Sequence, residues 1–294
     1  MQLESSGRDR TWHHDQPGRR PTVTSTGVNS PAPRSGPDPQ PVLTVAMGLG
    51  AGLLSGLFGV GGGILVVPAL VMILRLDQRL ANGTSLGAVL PISVSSLVTY
   101  WSHGNVDWPL AMWLALGAVG GAVLGTRWIH SLPRHILGYM FSVVLVVTAI
   151  RLFIPMNATG RDEIDVLMAI ALVLIGLASG ILAGLLGIGG GVIMVPAMVV
   201  LFSELSVVAK GTSVAVIIPT AIMGTWRNWK ADNVDMKTAA IVGVSGVVSA
   251  VVGGMIADHL SEDLSNVLFA TLILVVAARM VWDLQRNGED RTIR

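Results

Sequence analysis

The chain has 294 residues, of which 52% are apolar and 13% are charged, and its formal net charge is +1 at pH 7. Soluble globular domains carry about 25% charged residues, so the composition excludes an ordinary soluble protein and indicates a membrane protein. The chain contains no Cys, which excludes disulfides and thiolate metal sites.

The first 41 residues are polar and rich in Pro, Gly, Ser, Thr and Arg. A segment of this composition cannot bury enough apolar surface to fold alone, so we predict a disordered N-terminal tail over 1–41. It lacks the apolar core of a signal peptide, and we expect it to be uncleaved. The pair His13–His14 has no third ligand nearby, so we predict no metal site and no cofactor.

Eight apolar blocks follow the tail, and a membrane-spanning helix needs about 20 apolar residues. The blocks cover 42–74, 83–102, 108–128, 135–154, 166–202, 211–227, 236–257 and 264–284. Several Trp lie near block ends, as in the aromatic belts of membrane proteins. Two blocks, 42–74 and 166–202, are too long for one simple span. We therefore predict an all-α polytopic membrane protein with about eight to ten membrane segments.

One phrase occurs twice in the chain, as GLFGVGGGILVVP at 56–68 and as GLLGIGGGVIMVP at 184–196. The offset of 128 residues holds further along, and aligning 48–107 with 176–235 gives 23 identities in 60 positions. Duplicated apolar halves with matching Gly- and Pro-interrupted segments are typical of transporters. We predict two transmembrane repeats, 42–155 and 163–284, followed by a short C-terminal tail at 285–294.

The glycine triplets of the two phrases are candidate substrate-binding residues. They are Gly61, Gly62, Gly63, Gly189, Gly190 and Gly191. Three residues without Cβ interrupt a helix, and the helix that restarts after them directs free N–H groups and the positive end of its dipole toward an anion. Close helix packing is the alternative for these glycines, and it is the favoured explanation for Gly48, Gly52, Gly176, Gly180 and Gly184.

Prolines and a second repeated triplet follow each phrase. Pro68, Pro196, Pro91 and Pro219 are predicted helix breaks. The next apolar block in each half opens with Gly83-Thr84-Ser85 or Gly211-Thr212-Ser213. These triplets either cap helices or face the same anion as a second pair of helix N-termini. Lys210 is a candidate positive partner for that anion, or an interfacial residue that reaches the headgroups. Asn105/Asp107 and Asn233/Asp235 are expected to form turns and cap the next helices.

The distribution of Lys and Arg tests how the two long blocks cross the membrane. If each block is one crossing, five basic residues lie outside and fourteen inside. If each block turns at its glycines, only Arg151, Arg161 and Lys210 lie outside, against sixteen inside. We favour the turned arrangement, which makes the halves inverted repeats and places both termini in the cytoplasm.

These phrases, triplets and prolines resemble those of the TauE/SafE family of sulfite-exporter-like membrane transporters, over about 42–284. The resemblance implies transport of sulfite, an organosulfonate or another sulfur oxyanion across the cytoplasmic (inner) membrane, by alternating access. It implies a lipid bilayer and a small anionic substrate as partners. The chain shows no P-loop or GxGxxG and no catalytic constellation, so we expect neither an enzyme nor nucleic-acid binding. An anion channel and a membrane scaffold remain alternatives.

Overall fold

The computed structural model describes residues 41–128, six helical positions between 142 and 150, and residues 164–292. Every regular element in these segments is an α-helix. The first four helices are α1 (Pro41–Phe58), α2 (Gly63–Met72), α3 (Gln78–Ser102) and α4 (Trp108–Trp128). The predicted tail over 1–40, most of the block at 135–154, the repeat boundaries at 155 and 163, Arg151 and Arg161 lie outside the described residues.

Five further helices form the second half of the described chain. They are α5 (Val166–Leu186), α6 (Gly191–Phe202), α7 (Ser206–Lys230), α8 (Met236–His259) and α9 (Glu262–Thr292). Within the described residues, α1, α3, α4, α5, α7 and α8 are long and apolar enough to cross a membrane, whereas α2 and α6 are short. The all-α polytopic membrane fold predicted from the sequence is confirmed.

Helix ends carry the side-chain caps that the sequence predicts at the Asn/Asp turns. Asp107 Oδ1 accepts the Leu110 amide at 3.0 Å, and Asp235 Oδ1 accepts the Lys237 amide at 3.0 Å. A carboxylate at this position satisfies N–H groups that have no acceptor inside the helix. The capping role predicted for both aspartates is confirmed.

Each long apolar block turns back on itself at its glycines. A Cβ added to Gly62, just before α2, would lie 2.6 Å from the carbonyl oxygen of Ala51 in α1, and one added to Gly50 would lie 3.1 Å from Leu65. After the glycines the chain therefore reverses direction, and α2 packs back against α1. Gly190 lies in the same way against Ser179 of α5.

The first helix of each half packs on the fourth helix of the other half. A Cβ on Gly52 of α1 would lie 2.0 Å from the Gly246 carbonyl oxygen of α8, and one on Gly180 of α5 would lie 2.0 Å from the Ala118 carbonyl oxygen of α4. The two contacts are equivalent, because both members shift by 128 residues. Gly48, Gly56, Gly176 and Gly184 make similar approaches along the same seams. The packing role predicted for Gly48, Gly52, Gly176, Gly180 and Gly184 is confirmed.

The third helix of each half, α3 or α7, lies at the centre, and these two helices pack antiparallel. Gly83 near the start of α3 lies against Asn228 near the end of α7, whereas Tyr100 near the end of α3 lies against Gly211 near the start of α7. Both pairs are related by the 128-residue offset. Two equivalent helices therefore run in opposite directions beside each other.

The predicted helix breaks at the prolines are wrong. Pro68, Pro91, Pro196 and Pro219 all lie inside continuous helices, namely α2, α3, α6 and α7. Proline removes one N–H donor, but neighbouring groups in a membrane bundle can satisfy the freed carbonyl. The interruptions lie at the glycines.

The predicted starts of two helices also need correction. The Gly-Thr-Ser triplets do not open helices, because α3 begins at Gln78 after its cap Asp77, and α7 begins at Ser206. Polar residues before each triplet, such as Gln78 and Asn82 or Ser206 and Lys210, lie inside the helix, so the predicted apolar blocks begin later than the helices. At the other end, α9 runs to Thr292, so the helix continues into the segment 285–294, and the assignment of that segment as a C-terminal tail stays a prediction.

Adjacent glycines on α4 test the seam between α4 and α5. A Cβ at Gly121 would lie 2.2 Å from the Leu177 carbonyl oxygen, whereas one at Gly120 would lie 3.9 Å from its nearest neighbour. We predict that Gly121→Ala lowers the free energy of unfolding by about 1–3 kcal/mol through overpacking, and that Gly120→Ala is neutral or stabilising. Thermal unfolding of the detergent-purified variants measures both. Equal effects of the two changes would contradict the close approach.

Candidate functional site

The two glycine breaks meet at the centre of the bundle. A Cβ at Gly63 would lie 2.8 Å from the carbonyl oxygen of Gly187, and one at Gly191 would lie 2.6 Å from that of Gly59. Val89 of α3 and Ile217 of α7, each halfway along its helix, flank this contact at Gly61 and Gly189. The glycines that the sequence predicts as a site are thus brought together and buried.

The short helices α2 and α6 begin at this contact without a side-chain cap. Their N-cap residues, Gly62 and Gly190, have φ of 73° and 85°, in the left-handed region that glycine adopts without strain. The first N–H groups of each helix have no acceptor inside the helix. Two positive helix ends therefore face the middle of the molecule.

Serines of the Gly-Thr-Ser triplets bind the break of the opposite half. Ser85 Oγ donates to the Gly187 carbonyl oxygen at 2.9 Å, and Ser213 Oγ donates to the Gly59 carbonyl oxygen at 2.5 Å, sharing its one hydrogen with the Lys210 carbonyl oxygen at 2.7 Å. All five residues are buried. The two bonds are equivalent under the 128-residue offset, so each half holds the other half's break in the same way.

The remaining residues of each triplet hold the turn before the other half's fourth helix. Thr84 Oγ1 accepts the Asp235 amide and Thr212 Oγ1 accepts the Asp107 amide, both at 2.9 Å. Gly83 and Gly211 allow the close approach, since a Cβ on either would lie 2.0 Å from a carbonyl oxygen, of Asn233 or Asn105. The triplets thus connect the halves in this conformation.

The residue before each triplet differs between the halves. Asn82 Nδ2 donates to the Leu185 carbonyl oxygen at 2.7 Å, whereas the equivalent Lys210 directs its ammonium to Ser265 Oγ of α9. Lys210 is 1% exposed, and its Nζ lies 5.9 Å from the centre of the Phe58 ring. The alternative of an interfacial lysine reaching the headgroups is therefore wrong, because α9 and the end of α1 cover the side chain.

Other side chains at the breaks were not singled out from the sequence. Tyr100 Oη donates to the Gly56 carbonyl oxygen at 2.5 Å, and Ser179 Oγ donates to the Gly190 carbonyl oxygen at 2.7 Å. Tyr100 thus binds a carbonyl near the end of α1, whereas the Gly190 carbonyl oxygen also accepts the amides of Ile193 and Met194 in α6. Neither residue lies in a repeated motif, so duplication gave no signal for them.

The centre is tightly packed in this conformation. The cavity beside Gly190 measures about 10 Å³, which is about the space of one water molecule. A larger cavity of about 410 Å³ lies away from the breaks, against exposed apolar residues at the start of α5. Among the described residues, no group of three His, Asp or Glu side chains could hold a metal ion.

Comparison with known proteins identifies a family and several relatives. The family described as Sulfite exporter TauE/SafE matches residues 18–152 and 172–294. The chain is 26% identical to the probable membrane transporter protein YjnA of Bacillus subtilis, over 82% of this chain and 99% of that protein. It is 26% identical to a probable membrane transporter protein of Xylella fastidiosa, over 82% and 95%. A similar protein of Methanocaldococcus jannaschii is 25% identical, over 81% and 94%.

Removing the two serine hydroxyls tests the contact between the halves. We predict that Ser85→Ala and Ser213→Ala each lower the free energy of unfolding by about 1–3 kcal/mol, because a buried carbonyl loses its donor. Ser102→Ala is the control, since that hydroxyl bonds the Thr99 carbonyl of its own helix. Thermal unfolding in detergent measures all three. Serine variants as stable as the control would contradict the role assigned to these bonds.

Proposed function

The chain belongs to the TauE/SafE family of membrane transporters, and from this we propose that it carries a small anion across the cytoplasmic membrane by alternating access. The proposed substrate class is sulfite, an organosulfonate or another sulfur oxyanion. The family description names sulfite export, and the relatives are described as membrane transporters. The substrate class therefore rests on the family and on the chemistry of the centre.

One observation carries the choice of an anion. The uncapped N-terminal ends of α2 and α6 meet at the centre of the bundle, between Val89 and Ile217. Backbone N–H groups and the positive helix ends attract negative charge there. We propose that the anion binds between the two glycine triplets when this contact loosens.

The antiparallel packing of α3 and α7 supports inverted repeats. Equivalent helices that run in opposite directions across a bilayer are related by a two-fold axis in the membrane plane. Arg79 at the start of α3 and Lys210 near the start of α7 accordingly lie toward opposite ends of the bundle. This is the arrangement that follows when each long block turns at its glycines.

Alternating access then uses the two equivalent serine bonds in turn. The bond from Ser213 to Gly59 lies near the start of α7, and the bond from Ser85 to Gly187 lies near the start of α3. Because these helices are antiparallel, the two bonds lie toward opposite membrane faces. We propose that releasing one bond opens the centre to one side while the other keeps it closed. The described conformation, in which both bonds are formed, is the occluded intermediate between the two open states.

Lys210 is proposed as the positive group that an entering anion meets on one side only. Its ammonium bonds Ser265 Oγ beside Phe58, within one turn of Ser213. An anion that reaches the break between Gly59 and Ser213 passes this charge. In the other half Asn82 occupies the equivalent place, so the opposite entrance offers an amide instead.

Both termini are proposed to lie in the cytoplasm, following the excess of Lys and Arg on that side. A channel would use the same broken helices without alternating closure. The carrier is favoured because the two glycine breaks are buried and in close contact with each other, so passage needs a rearrangement.

Bulky residues at the breaks test the proposed site. We expect Gly62→Leu and Gly190→Leu to abolish counterflow of labelled sulfite in proteoliposomes, because Cβ atoms there would lie 2.6 Å from the Ala51 carbonyl oxygen and 2.5 Å from Ser179 Oγ. Gly120→Leu is the control, since Gly120 is exposed. Full transport by both break variants, inserted at wild-type levels, would show that the site is wrong, and large single-channel currents without counterflow would show a channel.

Single cysteines test the topology directly, because the chain contains no Cys. His103→Cys and Ala231→Cys lie in equivalent exposed turns after α3 and α7. Inverted repeats predict that an impermeant maleimide labels them from opposite sides of the membrane. Labelling from the same side would support one crossing per long block and parallel repeats.

A further inference from the structure

Ser93 of α3 has a buried hydroxyl that forms no hydrogen bond in the described structure. The residue is 0% exposed, and its Oγ has no partner. Other hydroxyls on these helices donate to the carbonyl four residues earlier, as Thr220 does to Val216 at 2.8 Å and Ser245 does to Ile241 at 2.7 Å. Ser93 lacks even this local bond. A buried polar group without a partner costs free energy and calls for an explanation.

The position of Ser93 on α3 relates it to the centre. Val89, four residues earlier, flanks the contact between the glycine breaks. Ser96, three residues later, has its Oγ 3.3 Å from Ser55 Oγ of α1. Residues spaced by three and four share one face of a helix. Ser93 therefore lies on the face of α3 that runs from the central contact to the Ser55–Ser96 pair.

The second half shows that the fold does not need these hydroxyls. Its equivalents of Ser55, Ser93 and Ser96 are Ala183, Ala221 and Gly224. Both sets occupy matching places in helices that pack in the same way. Ala183, Ala221 and Gly224 fill these places without a hydroxyl, so packing alone does not require the three hydroxyls of the first half.

We propose that Ser93, with Ser55 and Ser96, binds the anion on the first-half side of the centre. This inference rests on the proposed function and adds a second binding site for the same substrate. Each hydroxyl offers one O–H donor, and an oxyanion accepts several hydrogen bonds. The Ser55–Ser96 bond can be exchanged for bonds to the anion, and Ser93 gains the partner that it lacks. The equivalent positions in the second half have no hydroxyls, so the two sides of the centre differ in their affinity for the anion.

Ser93→Ala tests the proposal, because alanine is the residue that the second half carries at this place. We expect the KM for labelled sulfite uptake into proteoliposomes to rise about tenfold, since a hydrogen bond to a charged group is lost. The melting temperature without substrate should stay unchanged or rise. Ser245→Ala, which removes a hydroxyl bonded within its own helix, should keep the wild-type KM.

The outcomes separate this inference from the proposed function. Wild-type protein that moves none of sulfite, thiosulfate, sulfate or small sulfonates would overturn the proposed function and this inference with it. If the wild-type protein transports one of these anions and Ser93→Ala keeps the wild-type KM, only the proposed binding site at Ser93 is overturned. A clear loss of folded protein in Ser93→Ala would assign the hydroxyl to packing, and would also overturn it.

Discussion

Each half of this membrane protein ends its first helix against the third helix of the other half, and the rest of the structure depends on this reciprocal contact. Ser213 holds the carbonyl of Gly59, and Ser85 holds that of Gly187. The same triplets hold the turns at Asp107 and Asp235. The halves are therefore intertwined, and neither half can complete its broken helix alone.

The membrane explains why this contact is so specific. An interrupted helix exposes carbonyl and amide groups, and each one left unsatisfied in lipid costs several kcal/mol. The carbonyls at the ends of α1 and α5 accept bonds from Tyr100, Ser213, Asn82 and Ser85. The amides that begin α2 and α6 receive no side-chain cap. The unsatisfied potential of the centre is thus positive, which is the basis for proposing an anion.

The backbone contacts of the two halves are equivalent, but the buried polar side chains at equivalent positions differ. Backbone contacts repeat with the 128-residue offset, from the seam glycines to the triplets. Buried polar side chains differ at equivalent places, with Asn82 opposite Lys210 and Ser93 opposite Ala221. Under the proposed alternating access, the equivalent backbone contacts would allow two interchangeable conformations, and the differing side chains would give the two proposed entrances different chemistry.

The sequence by itself determined the membrane class, the duplication, the helix interruptions and the caps at Asp107 and Asp235, because hydropathy, repetition and capping are local properties. It misplaced the starts of α3 and α7 and the effect of four prolines, since a helix continues through polar residues or proline when its neighbours satisfy the backbone. It did not predict the partners of Gly59 and Gly187 or the burial of Ser93. Only the tertiary structure decided these features, because the two contacts join residues 102 and 154 positions apart and burial depends on helix packing.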